Sequence, residues 1–443
     1  MKKNCVLACM FVAVPFGVSS VFAQTPAVAP PVDDAAYTLK VPGAPASQVG
    51  ATVYELSGTT ISGTQGANPT ILTAPVGNAA PYKTESGIYL YPTAFVGMGY
   101  NDNLQTRSTN QVGSSVVNVA PQLIAELKHQ GDRYTALATV NHLNYASSSA
   151  DNITKSEFKI AGDNYFTARA RAAWALGQVH GADTRGSSER PISSEPDRWT
   201  SNNFDGRFIY GAPEAQGRIE LDVGNQNKTY DNNRINTAIA DLSIGSYAAR
   251  MYYRLGSRSL VLGEYRNAKA NYTSALATES NVDRRYYVGL TWEATAATTG
   301  IFKFGRMTKD FDLVGHPGYE GDSWEASVRW MPLTYSAIDF STSRTTADAT
   351  GFGAYSVNTG GNVIWNHQWS RSLTSRAALG VLKSDFGATT RSDSATTYAL
   401  TMDYAVLRWL KVGFDWAGTD TTSNFPLAAF KRNVTMFTLN ASL

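Results

Sequence analysis

The chain has 443 residues, of which 43% are hydrophobic and only 17% charged, with a formal net charge of +2. That near balance excludes recruitment of nucleic acid by a global field. Cys5 and Cys9 are the only cysteines and sit at the extreme N-terminus, so disulfides and thiolate metal sites are excluded from the remainder.

Met1-Lys2-Lys3-Asn4 precedes an apolar run from Cys5 to Val18, and Val21-Phe22-Ala23 supplies small-x-small cleavage chemistry. Residues 1–23 are therefore expected to be a secretory signal peptide, with Gln24 as the mature N-terminus. Removing Lys2 and Lys3 leaves the basic residues equal in number to the 36 acidic ones. No later run approaches the ~18 apolar residues of a membrane-spanning helix. Residues 24–85 open with Gln24-Thr25-Pro26-Ala27-Val28-Ala29-Pro30-Pro31 and are rich in Pro, Ala, Gly, Ser and Thr. They can hardly bury a core, and a flexible periplasmic arm is expected. A sharper reading places part of that arm inside a pore.

From residue 86 onward the sequence alternates apolar and polar residues in short segments. Ala168-Ala170-Ala172-Trp174-Leu176 interleave with Arg169 and Arg171, Trp324-Ala326-Val328-Trp330 with Glu325, Ser327 and Arg329, and Tyr398-Leu400-Met402-Tyr404 with Thr401 and Asp403. Successive side chains of a strand point to opposite faces. One face needs an apolar medium and the other carries charges that could not sit in one. A closed barrel with lipid outside and water inside satisfies both. The expected fold is all-β, an antiparallel transmembrane β-barrel of about 18 strands over 86–443. The expected strand starts are near 87, 114, 133, 154, 165, 200, 216, 235, 258, 283, 300, 322, 334, 355, 372, 394, 410 and 430. Tight turns are expected at 129–132, 212–215, 256–258, 331–333 and 370–372. Longer loops are expected at 101–113, 147–153, 181–199, 273–282, 313–321, 346–354, 387–393 and 419–429. Short periplasmic turns alternating with longer external loops are the pattern of such barrels.

Alternation also assigns faces. Ile219, Leu221, Val223, Tyr286, Val288, Leu290, Trp292, Val412, Phe414 and Trp416 are expected to meet lipid. The pore-lining candidates are Arg169, Arg171, Arg218, Glu220, Asp222, Arg285, Glu293, Glu325, Arg329, Asp339, Arg376, Asp403, Lys411 and Asp415. A Lys or Arg turned to mid-bilayer would cost ~2–4 kcal/mol, so the inward assignment is favoured. In the ninth strand Leu260 and Leu262 share a parity with Glu264 and Arg266, which leaves that strand either bulged or misread. The lumen charges either satisfy one another or offer a mixed-charge surface to a polar solute.

No catalytic constellation is present. His129, His142, His180, His316 and His367 are isolated, and no metal or cofactor is expected. Tyr100-Asn101-Asp102-Asn103 and Tyr230-Asp231-Asn232-Asn233 end two strands. Strand breaking and loop initiation explain them better than Ca²⁺ binding, with Tyr100 and Tyr230 in the aromatic girdle. The final strand, with Thr435, Phe437, Leu439, Ala441 and Leu443 on one face, reads as an address for barrel-insertion machinery.

Gly87-Ile88-Tyr89-Leu90-Tyr91-Pro92 running into Tyr100-Asn101-Asp102-Asn103-Leu104, Val119-Ala120-Pro121 and the Arg-bearing fifth strand carry a family resemblance over 86–443. The chain resembles the putative beta-barrel porin family found with exopolysaccharide and capsule biosynthesis systems. The resemblance implies a conduit for exopolysaccharide or capsular polysaccharide in the outer membrane of a Gram-negative bacterium. The implied partners are outer-membrane lipid and lipopolysaccharide, insertion machinery, a polysaccharide and periplasmic export proteins, without nucleic acid. The alternative is a diffusion porin for small polar molecules.

Overall fold

A computed structural model describes residues 81–442, apart from 184, 186–192, 213, 296, 352 and 426–427; of 293–295, 349–351 and 353 it describes the backbone alone. The expected signal peptide, nearly all of the expected arm, Leu443 and part of the 181–199 loop lie outside the described residues.

The strands are β1 (Tyr82–Lys83), β2 (Tyr89–Asn101), β3 (Ser114–His129), β4 (Asp132–Tyr145), β5 (Ile153–Tyr165), β6 (Ala170–Asp183), β7 (Asp197–Tyr210), β8 (Gly217–Tyr230), β9 (Leu242–Arg254), β10 (Ser259–Tyr272), β11 (Asn281–Thr295), β12 (Thr298–Phe311), β13 (Tyr319–Leu333), β14 (Ser336–Gly351), β15 (Gly353–Gln368), β16 (Leu373–Phe386), β17 (Ser392–Leu407), β18 (Leu410–Ser423) and β19 (Phe430–Ser442). From β2 to β19 each strand pairs antiparallel with the next in sequence. β19 then pairs with β2, from Val434 opposite Asn101 to Ser442 opposite Thr93, and closes an 18-strand barrel. β1 adds only a two-residue flap beside Tyr89 and Leu90. Barrels of this strand number are in general wide enough to enclose water.

The alternation in sequence becomes an inside-out distribution of polarity. On β8, Arg218, Glu220 and Asp222 are buried, while Ile219, Leu221 and Val223 are exposed. Val288, at 70% exposure, and Phe437, at 68%, stand on the same outer surface. Only lipid makes that surface favourable. Aromatic side chains gather toward the two ends of this surface. Tyr210, Tyr253, Trp330, Trp369, Tyr404 and Trp409 ring the short-turn end. Near the other end, Tyr247, Tyr265 and Tyr286 lean on one another across β9–β11, with ring centroids 6.0 and 4.9 Å apart.

Apart from the single-residue connection between β14 and β15, the shortest connections lie at the end where β2 begins and β19 finishes. Between β3 and β4, Gln130 (φ 51°) and Gly131 (φ 95°) make a two-residue turn of the primed kind, whose twist matches that of the strands.

Several expectations need correction. The segment 346–354 is not a loop, because β14 and β15 run through it and leave one connecting residue. β13 likewise runs through 331–333, and the turn falls at 334–335. β6 starts at Ala170 rather than 165, because the Thr167 hydroxyl accepts hydrogen bonds from the Arg169 and Ala170 amides (3.1 and 3.0 Å) and holds a turn there. β9 starts at Leu242 rather than 235, behind a helical turn at Arg234–Thr237. β10 carries no bulge, since its register with β9 and β11 is unbroken. Leu262 faces inward beside Glu264 and Arg266.

Candidate functional site

The inner wall of β7–β13 carries a row of charges of alternating sign. Register places Arg207 opposite Asp222, Glu220 opposite Arg250, Arg250 opposite Glu264 and Lys303 opposite Glu325. Arg207 Nε donates to Asp222 Oδ1 (2.7 Å), and Arg250 bridges Asp222 (2.5 Å) and Glu264 (2.7 Å). Arg266 joins Glu264 (2.5 Å) to Glu325, which it grips through two nitrogens at 2.7 and 3.0 Å. Lys303 closes the group against the same two glutamates, at 2.9 and 2.5 Å. Arg218 pairs with Glu220 at 2.9 Å. Apart from Arg207 these side chains are nearly inaccessible. Ions so desolvated are tolerated only where partners of opposite sign and hydrogen bonds surround them.

A second tier lies toward the long-loop end. Lys309 Nζ donates to Asp348 Oδ1 (2.5 Å) and Asn281 Oδ1 (2.8 Å), and Arg285 pairs with Asp283 at 2.9 Å. The Tyr272 hydroxyl on β10 donates to Asp348 on β14 (2.8 Å), and the Thr346 hydroxyl on β14 to Asp283 on β11 (2.6 Å). Four strand steps along a flat wall are roughly 19 Å, beyond the reach of one tyrosine and one aspartate. The wall therefore curls tightly over β10–β14 and narrows the interior on that side.

At the long-loop mouth inward aromatic residues replace most of the charges. Tyr145, Trp199, Tyr230 and Tyr272 are buried there. Tyr230 is thus not a girdle residue, as its parity on β8 turns it inward, and its hydroxyl donates to Asp183 (2.7 Å). Trp199 Nε1 donates to the same carboxylate (3.0 Å), and Lys228 sits over both rings at 4.1 and 4.6 Å. Tyr100 faces outward and is exposed. The two Asn/Asp motifs staple loops to strands. Asn103 Nδ2 donates to the Arg107 and Lys431 carbonyls (both 2.8 Å), and Asp102 accepts from Asn433. Asn233 Nδ2 donates to Asp197 (2.7 Å).

The loops at this mouth meet at Asp151. It accepts from Arg185 Nε (2.7 Å), the Ser148 hydroxyl (2.7 Å) and Gln105 Nε2 (3.2 Å). Burial alone would push the Asp151 carboxyl up. The hydrogen bonds from Arg185, Ser148 and Gln105, with the Arg185 charge, outweigh that and hold it below the usual carboxylate range.

Of the pore-lining candidates, Arg218, Glu220, Asp222 and Glu325 belong to the charged row and Arg285 to the second tier. Arg171 pairs with Asp163 near the short-turn end. Arg329 and Asp339 face each other loosely at 3.8 Å and stay half-exposed. Arg376, Asp403, Lys411 and Asp415 lie on the inner face of β16–β18. Arg169 is a correction: it lies exposed in the turn before β6 and not on a strand. The Glu293 side chain lies outside the described residues. The row's other members, Arg207, Arg250, Glu264, Arg266 and Lys303, escaped the sequence reading. For Lys303 the signal was present, since it stands between outward Phe302 and Phe304, whereas Arg266 is followed by Asn267 and Arg207 and Glu264 each follow a glycine.

The opposite wall carries several buried polar groups that go unpaired. Both side-chain polar atoms of Asn118, Asn141 and Asn358, and the hydroxyls of Thr419 and Thr438, are buried with no hydrogen-bond partner.

The family model described as "Putative beta-barrel porin 2" matches residues 85–443. No curated protein matches the sequence. Among solved structures, Pseudomonas aeruginosa OccK2 (OpdF) is 9% identical with a TM-score of 0.47, over 82% of this chain and 100% of that one. P. aeruginosa OpdL is 10% identical with a TM-score of 0.45, over 81% and 99%. The FrpB iron transporter of Neisseria meningitidis (F3-3 variant) is 9% identical with a TM-score of 0.44, over 75% of this chain and 62% of that one. The chain thus spans less than two thirds of that transporter's length.

Proposed function

Because the chain belongs to the Putative beta-barrel porin 2 family, it is an outer-membrane barrel, and we propose that it works as a passive diffusion channel for small polar solutes. The observation that carries this reading is the unpaired polar wall. Leaving a buried donor or acceptor unmet costs about 1–3 kcal/mol. The eight orphaned atoms of Asn118, Asn141, Asn358, Thr419 and Thr438 would together rival the whole ~5–15 kcal/mol stability of an ordinary fold in a dry interior. Water admitted beside them would remove that cost, and it is also what a polar solute needs in order to cross. The facing charged row has its demands met internally, so it stiffens the wall without trapping ions of one sign.

Purified barrel inserted into planar bilayers and liposomes tests the reading. Open-channel conductance with weak ion selectivity, and swelling in small sugars and amino acids, are expected. A folded barrel that passes neither ions nor glycerol would overturn it. The exopolysaccharide conduit implied by the family resemblance is the competing proposal. Deleting the gene and measuring surface polysaccharide separates the two: loss outside, restored by complementation, favours export.

A further inference from the structure

The outward face of β9–β11 contains a hollow where the middle strand lacks a side chain. Register puts Gly263 of β10 between Met251 of β9 and Val288 of β11, and Val261, one rung nearer the short turns, between Tyr253 and Leu290. Met251 is 65% exposed and Val288 70%, so both walls stand proud of the barrel. A Cβ built on Gly263 meets nothing within 4 Å. The space so left is a groove of about 920 Å³ on the lipid-facing surface, walled by apolar side chains. Two residues further along the same face of β10, Tyr265 restores a side chain and leans on Tyr247 and Tyr286. At the foot of the groove the β9–β10 connection carries Arg254 and exposed Arg258, and the neighbouring β7–β8 turn carries Glu214, 4.0 Å from Arg254. Two cations against one anion leave this foot net positive.

Shape and charge together select the occupant. The backbones of β9 and β11 are two strand steps apart, roughly 10 Å, so the trough is a single strand wide. The wall of a second barrel is convex and would rest on Met251 and Val288 without reaching Gly263, forfeiting the contacts below. A flexible hydrocarbon chain reaches them, and in lipid such close packing, rather than escape from water, is what drives association. Arg258 and Gly263 are five residues apart, roughly 16 Å of strand. That matches one acyl layer of a bilayer whose hydrocarbon is about 30 Å thick. A phosphate at the level of Arg258 meets a guanidinium, a favoured charge-assisted pair. We propose that the hollow over Gly263 is a binding site for one anionic glycerophospholipid, with an acyl chain lying between Met251 and Val288 and the phosphate at Arg258. The site is on the outer surface and stands apart from whatever crosses the interior.

Full-length protein refolded with equal amounts of dioleoylphosphatidylglycerol and dioleoylglycerol (the same chains without phosphate), then exchanged into detergent, tests this by native mass spectrometry of retained lipid. The wild type is expected to keep the phospholipid over dioleoylglycerol by roughly tenfold, the worth of one charge-assisted hydrogen bond. Arg258→Gln should bring that ratio toward one. Gly263→Phe fills the groove and should lower the retained phospholipid about tenfold, the worth of roughly ten lost heavy-atom contacts. Gly245→Phe, at an equally open and exposed glycine on β9 outside the groove, should change nothing. Heat-modifiable gel migration reports folding for each variant, and if Gly263→Phe does not fold, Met251→Ala, which removes one wall, decides. Retention that survives both groove variants, or falls equally with Gly245→Phe, would overturn the site. So would a wild-type dimer that holds no lipid and that Gly263→Phe dissociates, which would give the groove to a second copy of the chain.

Discussion

Glu264 is the most connected residue of the charged row, bonded to Arg250, Arg266 and Lys303 at 2.7, 2.5 and 2.9 Å. Glu264→Gln keeps the shape and leaves three buried cations facing one another. The expected loss is ~3–5 kcal/mol, read as a lowered urea midpoint for the purified barrel. A second substitution, Arg266→Gln in the same chain, should recover part of it, because the two sites share partners. Asp151 makes a different prediction. Its folded pKa is depressed, so its contribution is complete above its unfolded value, near 4, and fades as pH falls through the lower folded one. The mouth loops held by Arg185, Ser148 and Gln105 should therefore stay closed at neutral pH and loosen only in strong acid. Hydrogen exchange at 103–107 and 147–152 would follow this, and Asp151→Asn should give fast exchange at every pH. At this scale the sequence was only partly legible. Parity placed Arg218, Glu220, Asp222 and Glu325 inside, but inward Leu262 hid Glu264 and Arg266, because a large apolar residue on the pore face reads as an error of register.

The strand is the scale at which the sequence was most legible. Lipid on one side and water on the other impose a strict two-residue period, and no competing core blurs it. Sixteen of the eighteen expected starts fall within three residues of the observed ones. The two misplaced starts have local causes: the Thr167 turn before β6, and before β9 a segment, Arg234-Ile235-Asn236-Thr237-Ala238-Ile239, whose alternation imitates a strand. There the Arg234–Asp241 pair (2.7 Å) and the bond from the Tyr230 amide to Asp241 (2.8 Å) fold the chain into a helical turn, with Ile235 fully exposed. Lipid facing can be tested at Val288, mid-way along β11. Val288→Arg should cost ~2–4 kcal/mol in liposome refolding titrations. A cost near zero would mean that this face does not meet hydrocarbon.

For the molecule as a whole, closure by β19 and β2 is the decisive feature, and periodicity alone cannot supply it. Sequence gives strands one after another, but which strand meets the first depends on how many there are and how they tilt. A chain without cysteine beyond Cys5 and Cys9 makes closure easy to test. Met98→Cys with Phe437→Cys, opposite each other across the seam, should form a disulfide in the folded protein and change its migration on an unreduced gel. An open sheet would leave both thiols free to alkylation.

The charged row also bears on how this protein can change over generations. Asp222, Arg250, Glu264, Arg266, Lys303 and Glu325 share partners end to end, so replacing any one strands its neighbours. Drift one position at a time is closed to them, whereas a reversal of sign along several rungs, or their joint replacement by apolar residues, keeps every demand met. Across related barrels these six positions should be inherited as a block.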